Sequence, residues 1–312
     1  MNDTVICHIM KKLFEEPLVY FVYEEGFKLN PQEIIIVLTN KKLGFIGGGN
    51  MTEALVKGLL SSSLVASKDI FISDLISDRL EYLSKEYNVK TTGDNRELVQ
   101  KSDIFVLAVK PQAVKKVLES FSDLVDSNKT IISVAAGISI NLIEDTLDVE
   151  RKKKIPVIRT MPNTPALVQE GATAICGGEY SSKLDIKIAH HIFTAIGQTV
   201  DIEEIHMDAV TGLSGSGPAY IFMIIEALSD AGVKVGLSRE VSNLLTIQTI
   251  LGSAKLARDG GKHPGELKDM VTSPGGTTIS GLHMLEEGGI RNALMNAVEM
   301  ATQRSRELGK KK

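Results

Sequence analysis

Residues 43–54 read Leu43-Gly-Phe-Ile-Gly-Gly-Gly-Asn-Met-Thr-Glu-Ala54. A short apolar run enters a turn of three glycines, and residues 53–60 continue with helical spacing. Strand, glycine turn and helix in that order make the opening unit of a doubly wound sheet, and the turn matches a dinucleotide fingerprint. Gly47 allows the tight turn. Gly49 lets a pyrophosphate approach the backbone at a helix N-terminus. The third position, which calls for a close helix–strand contact, holds Thr52 instead of Gly or Ala.

The rest of the first half keeps that rhythm. Apolar strands are expected at 43–46, 70–73, 104–108, 130–133 and 157–159. Helical patterns lie at 50–60, 78–87, 96–101, 111–118 and 140–147, with a further strand at 171–178 and a helix at 184–196. Such alternation argues an α/β, Rossmann-like, doubly wound parallel sheet. From about Asp208 the strand signals stop. Segments 218–230, 238–259, 264–270, 277–287 and 290–308 read as helices, separated by glycine-rich breaks. The expected organisation is an extension of unassigned role (1–40), a dinucleotide-binding domain (41–202) and an all-α substrate-binding and dimerisation domain (203–312). The last helices are apolar around much of their circumference, more than one small domain can hide, so a partner subunit is expected.

Composition excludes several classes. A net charge of −4 gives no electrostatic footprint for nucleic acid or an anionic membrane. No apolar run has the length of a membrane span. Cys7 and Cys176 are the two cysteines and form no CxxC, which fits a reducing compartment, here expected to be the cytoplasm. His190 and His191 are adjacent, diverge on a helix, and read as surface or interface residues; no metal site is expected. The extension is too acidic for a transit peptide. Within it, 34–38 could form a strand or a packed segment.

A second informative segment is Val271-Thr-Ser-Pro-Gly-Gly-Thr-Thr-Ile-Ser-Gly281. It starts a helix with a flexible approach and little side-chain bulk. Free backbone N–H groups there suit a small anion such as a carboxylate, and the hydroxyls of Ser273, Thr277 and Thr278 add donors. A well-capped structural helix is the other reading. The strand ends of the first half carry Ala108-Val-Lys-Pro-Gln112, Val134-Ala-Ala-Gly137 and Arg159-Thr-Met-Pro-Asn-Thr-Pro165. These small or polar groups fall at the carboxyl edge of the sheet, where ligands bind in such folds.

Taken together, Phe45-Ile-Gly-Gly-Gly-Asn-Met51, Ala108-Val-Lys-Pro111, Met161-Pro-Asn-Thr-Pro165, Gly212-Leu-Ser-Gly-Ser-Gly-Pro-Ala-Tyr220 and Thr272-Ser-Pro-Gly-Gly-Thr-Thr278 resemble the pyrroline-5-carboxylate reductase family in order and spacing. The resemblance runs from about Leu43 to Leu308. It implies that 1-pyrroline-5-carboxylate is reduced to L-proline by hydride transfer from NADPH or NADH. It implies that Ile46, Gly47, Gly48, Gly49, Asn50 and Met51 hold the pyrophosphate, and that Asn95 faces the adenosine. Ala108, Val109, Lys110 and Pro111, with Val134 and Ala136, would line the ribose and nicotinamide. Glu204, Ser273, Gly276, Thr277 and Thr278 would touch the substrate, with the Thr278 hydroxyl as the catalytic contact to the ring nitrogen. The helical domain would form a homodimer, and dimers a larger ring such as a decamer.

Asp74, at the end of the second strand, is placed to bind ribose hydroxyls and favour NADH; it or Ser77 could instead cap the next helix, and Arg79 could meet a 2′-phosphate. NADPH and NADH therefore both stand. Lys110 reads as ending its strand beside the cofactor more than as a proton donor. A rival reading is a hydroxy-acid dehydrogenase using Lys255 or Lys268. A further rival is a nucleotide-binding regulator without turnover, against which the 273–278 motif argues.

Overall fold

The computed structural model describes Leu38, residues 41–150 and residues 152–310. The expected extension lies outside the described residues except for Leu38, which is buried. Eight strands form one sheet: β1 (Leu43–Ile46), β2 (Ile70–Ser73), β3 (Lys90–Thr92), β4 (Ile104–Leu107), β5 (Thr130–Ser133), β6 (Val157–Met161), β7 (Gly171–Gly177) and β8 (Gly197–Asp201). Their order is β3-β2-β1-β4-β5-β6-β7-β8. Helices α1 (Asn50–Ser61), α2 (Ser77–Tyr87), α3 (Asn95–Lys101), α4 (Val114–Glu119), α5 (Ile140–Leu147) and α6 (Lys183–Thr194) connect them. The four central strands β1, β2, β4 and β5 are buried at every position, as apolar β-branched and aromatic runs covered on both faces must be. Phe105 and Phe121 meet edge to face at 5.6 Å between centroids, at the centre of one layer.

The doubly wound sheet is as expected, with three findings that refine or correct the detail. The sheet is not wholly parallel, because β7 runs antiparallel to β6, with Arg159 opposite Cys176. Strands β3 and β8 carry no apolar run: Lys-Thr-Thr and Gly-Gln-Thr-Val-Asp lie at the two sheet edges, half exposed, where burial imposes no hydrophobic signature. His190 and His191 are both buried, not surface residues. Helix α6 packs against β6, β7 and β8 on one side and α1 on another, so adjacent residues are covered. His190 bridges Thr199 Oγ1 (2.8 Å) and Asp201 Oδ1 (2.7 Å). His191 Nε2 is buried without a hydrogen-bond partner.

After β8 the chain is helical: α7 (Met207–Val210), a π-turn (Thr211–Gly215), α8 (Gly217–Lys234), α9 (Arg239–Gly260), α10 (Pro264–Met270), α11 (Thr277–Glu287) and α12 (Ile290–Lys310). Small residues bring α8 and α9 together. Ser242 Oγ donates to Ser229 O at 2.7 Å, and a Cβ on Gly232 would collide with that hydroxyl. The C-terminal half of α12 packs on α7 and the π-turn, with Ser305 Oγ donating to Asp208 at 2.6 Å. Elsewhere the helices leave large side chains in the open: Phe222 and Met223 are each 63% exposed and Leu244 65%, with Ile247, Leu251 and Leu256 half exposed beside them.

Candidate active site

The order of the sheet reverses direction between β1 and β4, the place where doubly wound folds leave a crevice. The glycine turn after β1 opens into it. Gly47 N–H donates to Ser73 O and Ala108 N–H to Ile46 O, each at 2.8 Å, so the turn is sewn to both neighbouring strands. Gly47 has φ +101°, and a Cβ there would stand 2.8 Å from Ala108 O. Nothing lies within 4 Å of where a Gly49 Cβ would be, and no side chain caps α1, whose first residues are Asn50 and Met51. Its backbone N–H groups thus face open space, as an anion site requires. Thr52 has a reason that the sequence did not disclose. Its buried hydroxyl donates to Gly47 O at 2.6 Å and locks the turn from behind.

The other residues expected at the cofactor follow strands β2, β4 and β5 or begin α3. Asp74 accepts from Gly48 N at 2.6 Å and from Ile76 N at 2.9 Å. Asn95 begins α3 and accepts from Ser73 Oγ at 2.7 Å, at the end of β2. Ala108, Val109 and the exposed Lys110 follow β4, and Pro111 opens a 3-10 turn. Val134 and Ala136 follow β5, with Val134 N–H bonded to Leu107 O and Ala136 exposed. Arg79, Glu53, Tyr82 and Tyr87 form a cluster that sequence reasoning missed. Glu53 accepts from Arg79, from Tyr82 Oη and from Tyr87 Oη, the tyrosines at 2.9 Å. Its own burial opposes ionisation, but the three donors and the Arg79 charge outweigh it and hold the carboxyl below its ordinary value. Burial first, then the hydrogen bond to Glu53 and its charge, push the Tyr87 phenol up.

The segment expected to hold substrate has the predicted shape. Gly276 precedes α11 with extended backbone, and no side chain caps the helix. A Cβ on Gly276 would fall 2.2 Å from Ser273 Oγ, so only glycine lets that hydroxyl lie against the helix start. Gly275 has φ +66°. Ser273 and Thr277 are exposed, and Gly276 and Thr278 half-buried. Among the described residues the hydrogen bonds of this segment stay local, such as Thr272 Oγ1 to Lys268 O and Gly276 N to Ser273 O. The single chain does not bond it to the glycine turn.

Glu204 lies elsewhere on the sheet edge. Its Oε1 accepts from Ile140 N at 2.8 Å, at the start of α5, and pairs with buried Arg159 at 3.1 Å. It lines an open cleft of about 670 Å³ with Glu144, Cys176, Glu179, Asp201 and Glu203. The carboxylates of Glu144, Glu179, Asp201, Glu203 and Glu204 in its lining disfavour a pyrophosphate there. Burial, then the Glu204 charge, raise the Cys176 thiol above its ordinary value. A second, apolar cleft of about 480 Å³ lies between Asn163, Pro165, Leu213, Tyr220, Ile221 and Val298. Among the described residues no group of His, Cys, Asp and Glu could hold a metal, and no helix is long and apolar enough to cross a membrane.

Residues 204–308 match the family described as pyrroline-5-carboxylate reductase dimerisation. Residues 42–137 match the one described as NADP oxidoreductase, coenzyme F420-dependent. The pyrroline-5-carboxylate reductase of Methanosarcina acetivorans is 47% identical over 274 residues, 88% of this chain and 100% of that protein. That of Arabidopsis thaliana is 44% identical over 86% of this chain and 95% of its own length. Among solved structures, a pyrroline-5-carboxylate reductase from Coxiella burnetii superposes with a TM-score of 0.81 at 37% identity, covering 86% of this chain and 98% of the other. The Plasmodium falciparum pyrroline carboxylate reductase, solved with NADP bound, gives 0.77 at 37% identity over the same shares.

Proposed function

The chain belongs to the pyrroline-5-carboxylate reductase family, and on that premise we propose how its residues reduce 1-pyrroline-5-carboxylate to L-proline, the closing step of proline biosynthesis. The reaction is an NAD(P)H-dependent reduction of a C=N bond. The observation that carries the reading is the pairing of two uncapped helix starts in one chain. Neither has a side-chain cap: the one at Asn50 would suit a pyrophosphate and the one at Gly276–Thr278 a carboxylate.

The glycine turn fits a dinucleotide: Ile46 to Met51 would hold the pyrophosphate, with Asp74 and Asn95 on the adenosine side. Ala108 to Pro111, with Val134 and Ala136, would flank the nicotinamide. When bound, the reduced dinucleotide supplies the hydride. The backbone N–H of Thr277 binds the substrate carboxylate over Gly276, whose own N–H is held by Ser273 O, Ser273 adds a hydroxyl donor, and the Thr278 hydroxyl bonds the ring nitrogen and orients the C=N face. A protonated imine is already electrophilic, so positioning and electrostatic fit supply the catalysis and no strong acid side chain is required. Glu204 serves this arrangement by bracing α5 and Arg159, since its Oε1 is taken by both.

We divide the chain into a dinucleotide-binding domain (41–202) and a helical domain (203–312). Exposed Phe222, Met223, Leu244 and Ile247 support a homodimer built on α8 and α9, and we infer that such dimers join into a larger ring such as a decamer. With two cysteines the chain has no disulfide framework to maintain, and we infer a reducing compartment, the cytoplasm. The test is dinucleotide oxidation by the purified protein with pyrroline-5-carboxylate and, separately, with 2-keto acids. Turnover with the imine alone is expected. Turnover with the keto acids alone would replace this reading with a hydroxy-acid dehydrogenase.

A further inference from the structure

Five side chains stand around the glycine turn: Asp74, Arg79, Glu53, Tyr82 and Tyr87. Asp74 holds its carboxylate against the turn through Gly48 N and Ile76 N. Each oxygen keeps a further lone pair, the acceptor that a ribose hydroxyl needs. A 2′-phosphate at that ribose would bring close to two negative charges against the same carboxylate. It could be tolerated if a cation were free to meet it.

The nearest candidate is Arg79, and it is engaged. Its Nε donates to Gly48 O at 2.5 Å, one Nη pairs with Glu53, and the guanidinium stacks 5.1 Å from the centroid of the Tyr82 ring. Glu53 is fixed in turn by Tyr82 and Tyr87. The pair is mostly shielded from water, with side chains 24% and 21% exposed, so pulling the arginine away would strand a carboxylate among phenols. Two other cations on neighbouring elements are also occupied. Arg96 grips Asp123 with two bonds of 2.7 Å, and Lys90 sits 4.7 Å from the centroid of the Phe71 ring. The next helix opens with another acid, Asp78.

We propose that the chain selects NADH over NADPH, with Asp74 as the determinant and Arg79 a strut of the glycine turn, held off the ribose by Glu53, Tyr82 and Tyr87. This rests on the reductase reading for its substrate, but not for its binding readout. Kd values for NADH and NADPH, from nicotinamide fluorescence of the full chain without substrate, should favour NADH by on the order of tenfold or more. Steady-state kcat/KM with pyrroline-5-carboxylate should show the same ratio. Asp74→Asn, which keeps the shape and removes the charge, should cut the ratio at least severalfold, chiefly by lowering KM for NADPH. Arg79→Ala should weaken both dinucleotides by similar factors. Equal affinities in the wild type, an unmoved ratio in Asp74→Asn, or a loss confined to NADPH in Arg79→Ala would each overturn the proposal. Tight, NADH-selective binding without imine turnover would instead count against the reductase reading and leave the selectivity standing.

Discussion

Asn163 donates its side-chain Nδ2 to the Ser214 carbonyl at 3.1 Å while its Oδ1 accepts from Ala172 N at 2.9 Å. One amide thus ties the end of β6, the start of β7 and the π-turn that leads into α8. The π-turn carries an extra residue per turn, which sets the face that α8 presents. Tyr220 braces the same turn, its hydroxyl near Gly212 O at 3.2 Å and Ala297 O at 3.3 Å.

Asn163→Asp keeps the bond to Ala172 and turns a donor toward Ser214 into an acceptor. Losing such a bond costs about 1–3 kcal/mol. The expected result is a roughly tenfold lower kcat/KM for the imine with the Kd for dinucleotide unchanged, because the glycine turn is untouched. Steady-state kinetics beside fluorescence titration measures both, and an equal loss in both would contradict a role confined to this junction.

Thr278→Val removes the hydroxyl proposed at the ring nitrogen and retains the shape of the helix start. The loss of one buried hydrogen bond, about 1–3 kcal/mol, predicts a fall in kcat/KM of roughly tenfold to a hundredfold. Wild-type kinetics in a folded variant would remove Thr278 from the site.

Ile247 is 52% exposed on α9 in the single chain, among other apolar side chains. If that face is covered by a second copy, Ile247→Glu places a charge in a dry interface and should cost several kcal/mol of association. Light scattering should show a shift toward monomer with reduced activity. A fully active monomeric wild type at micromolar concentration would refute the oligomer.

His191 titrates below its ordinary value of 6.5, first because burial disfavours the charged ring, then because His190 and Lys187 repel it. The unfolded chain therefore takes up this proton more readily than the folded one, so stability is full above pH 6.5 and falls as the pH drops toward the depressed value. His191→Leu removes both that linkage and the unpartnered Nε2. Denaturant midpoints at pH 7 and pH 5 should lie closer together in the variant. An unaltered gap would show that other groups carry the acid sensitivity.

How legible the fold was depended on burial. Strands such as Ile104–Leu107 are covered on both faces, so their apolar runs announce them. Lys90–Thr92 and Gly197–Asp201 lie at the sheet edges and need no such run. The adjacent histidines were misjudged for a related reason: periodicity shows the directions in which side chains leave a helix, but not that α6 is packed on two sides. The glycine turn and the 273–278 segment were legible because positive φ and close backbone approach leave glycine little competition.

The sequence by itself determined the sheet's interior, the place of the glycine turn, the helix start at Thr277 and the family, because each follows from local backbone chemistry or a short, ordered motif. Only the tertiary structure decided that Thr52 latches Gly47, that Asp74 holds Gly48 while Arg79 is taken by Glu53, and that Asn163 ties Ser214 to Ala172. These pairings join residues up to 51 positions apart. Hydrogen bonds act over about 3 Å of space, and the distance between such residues is fixed by the packing of helices on the sheet, which no local pattern encodes.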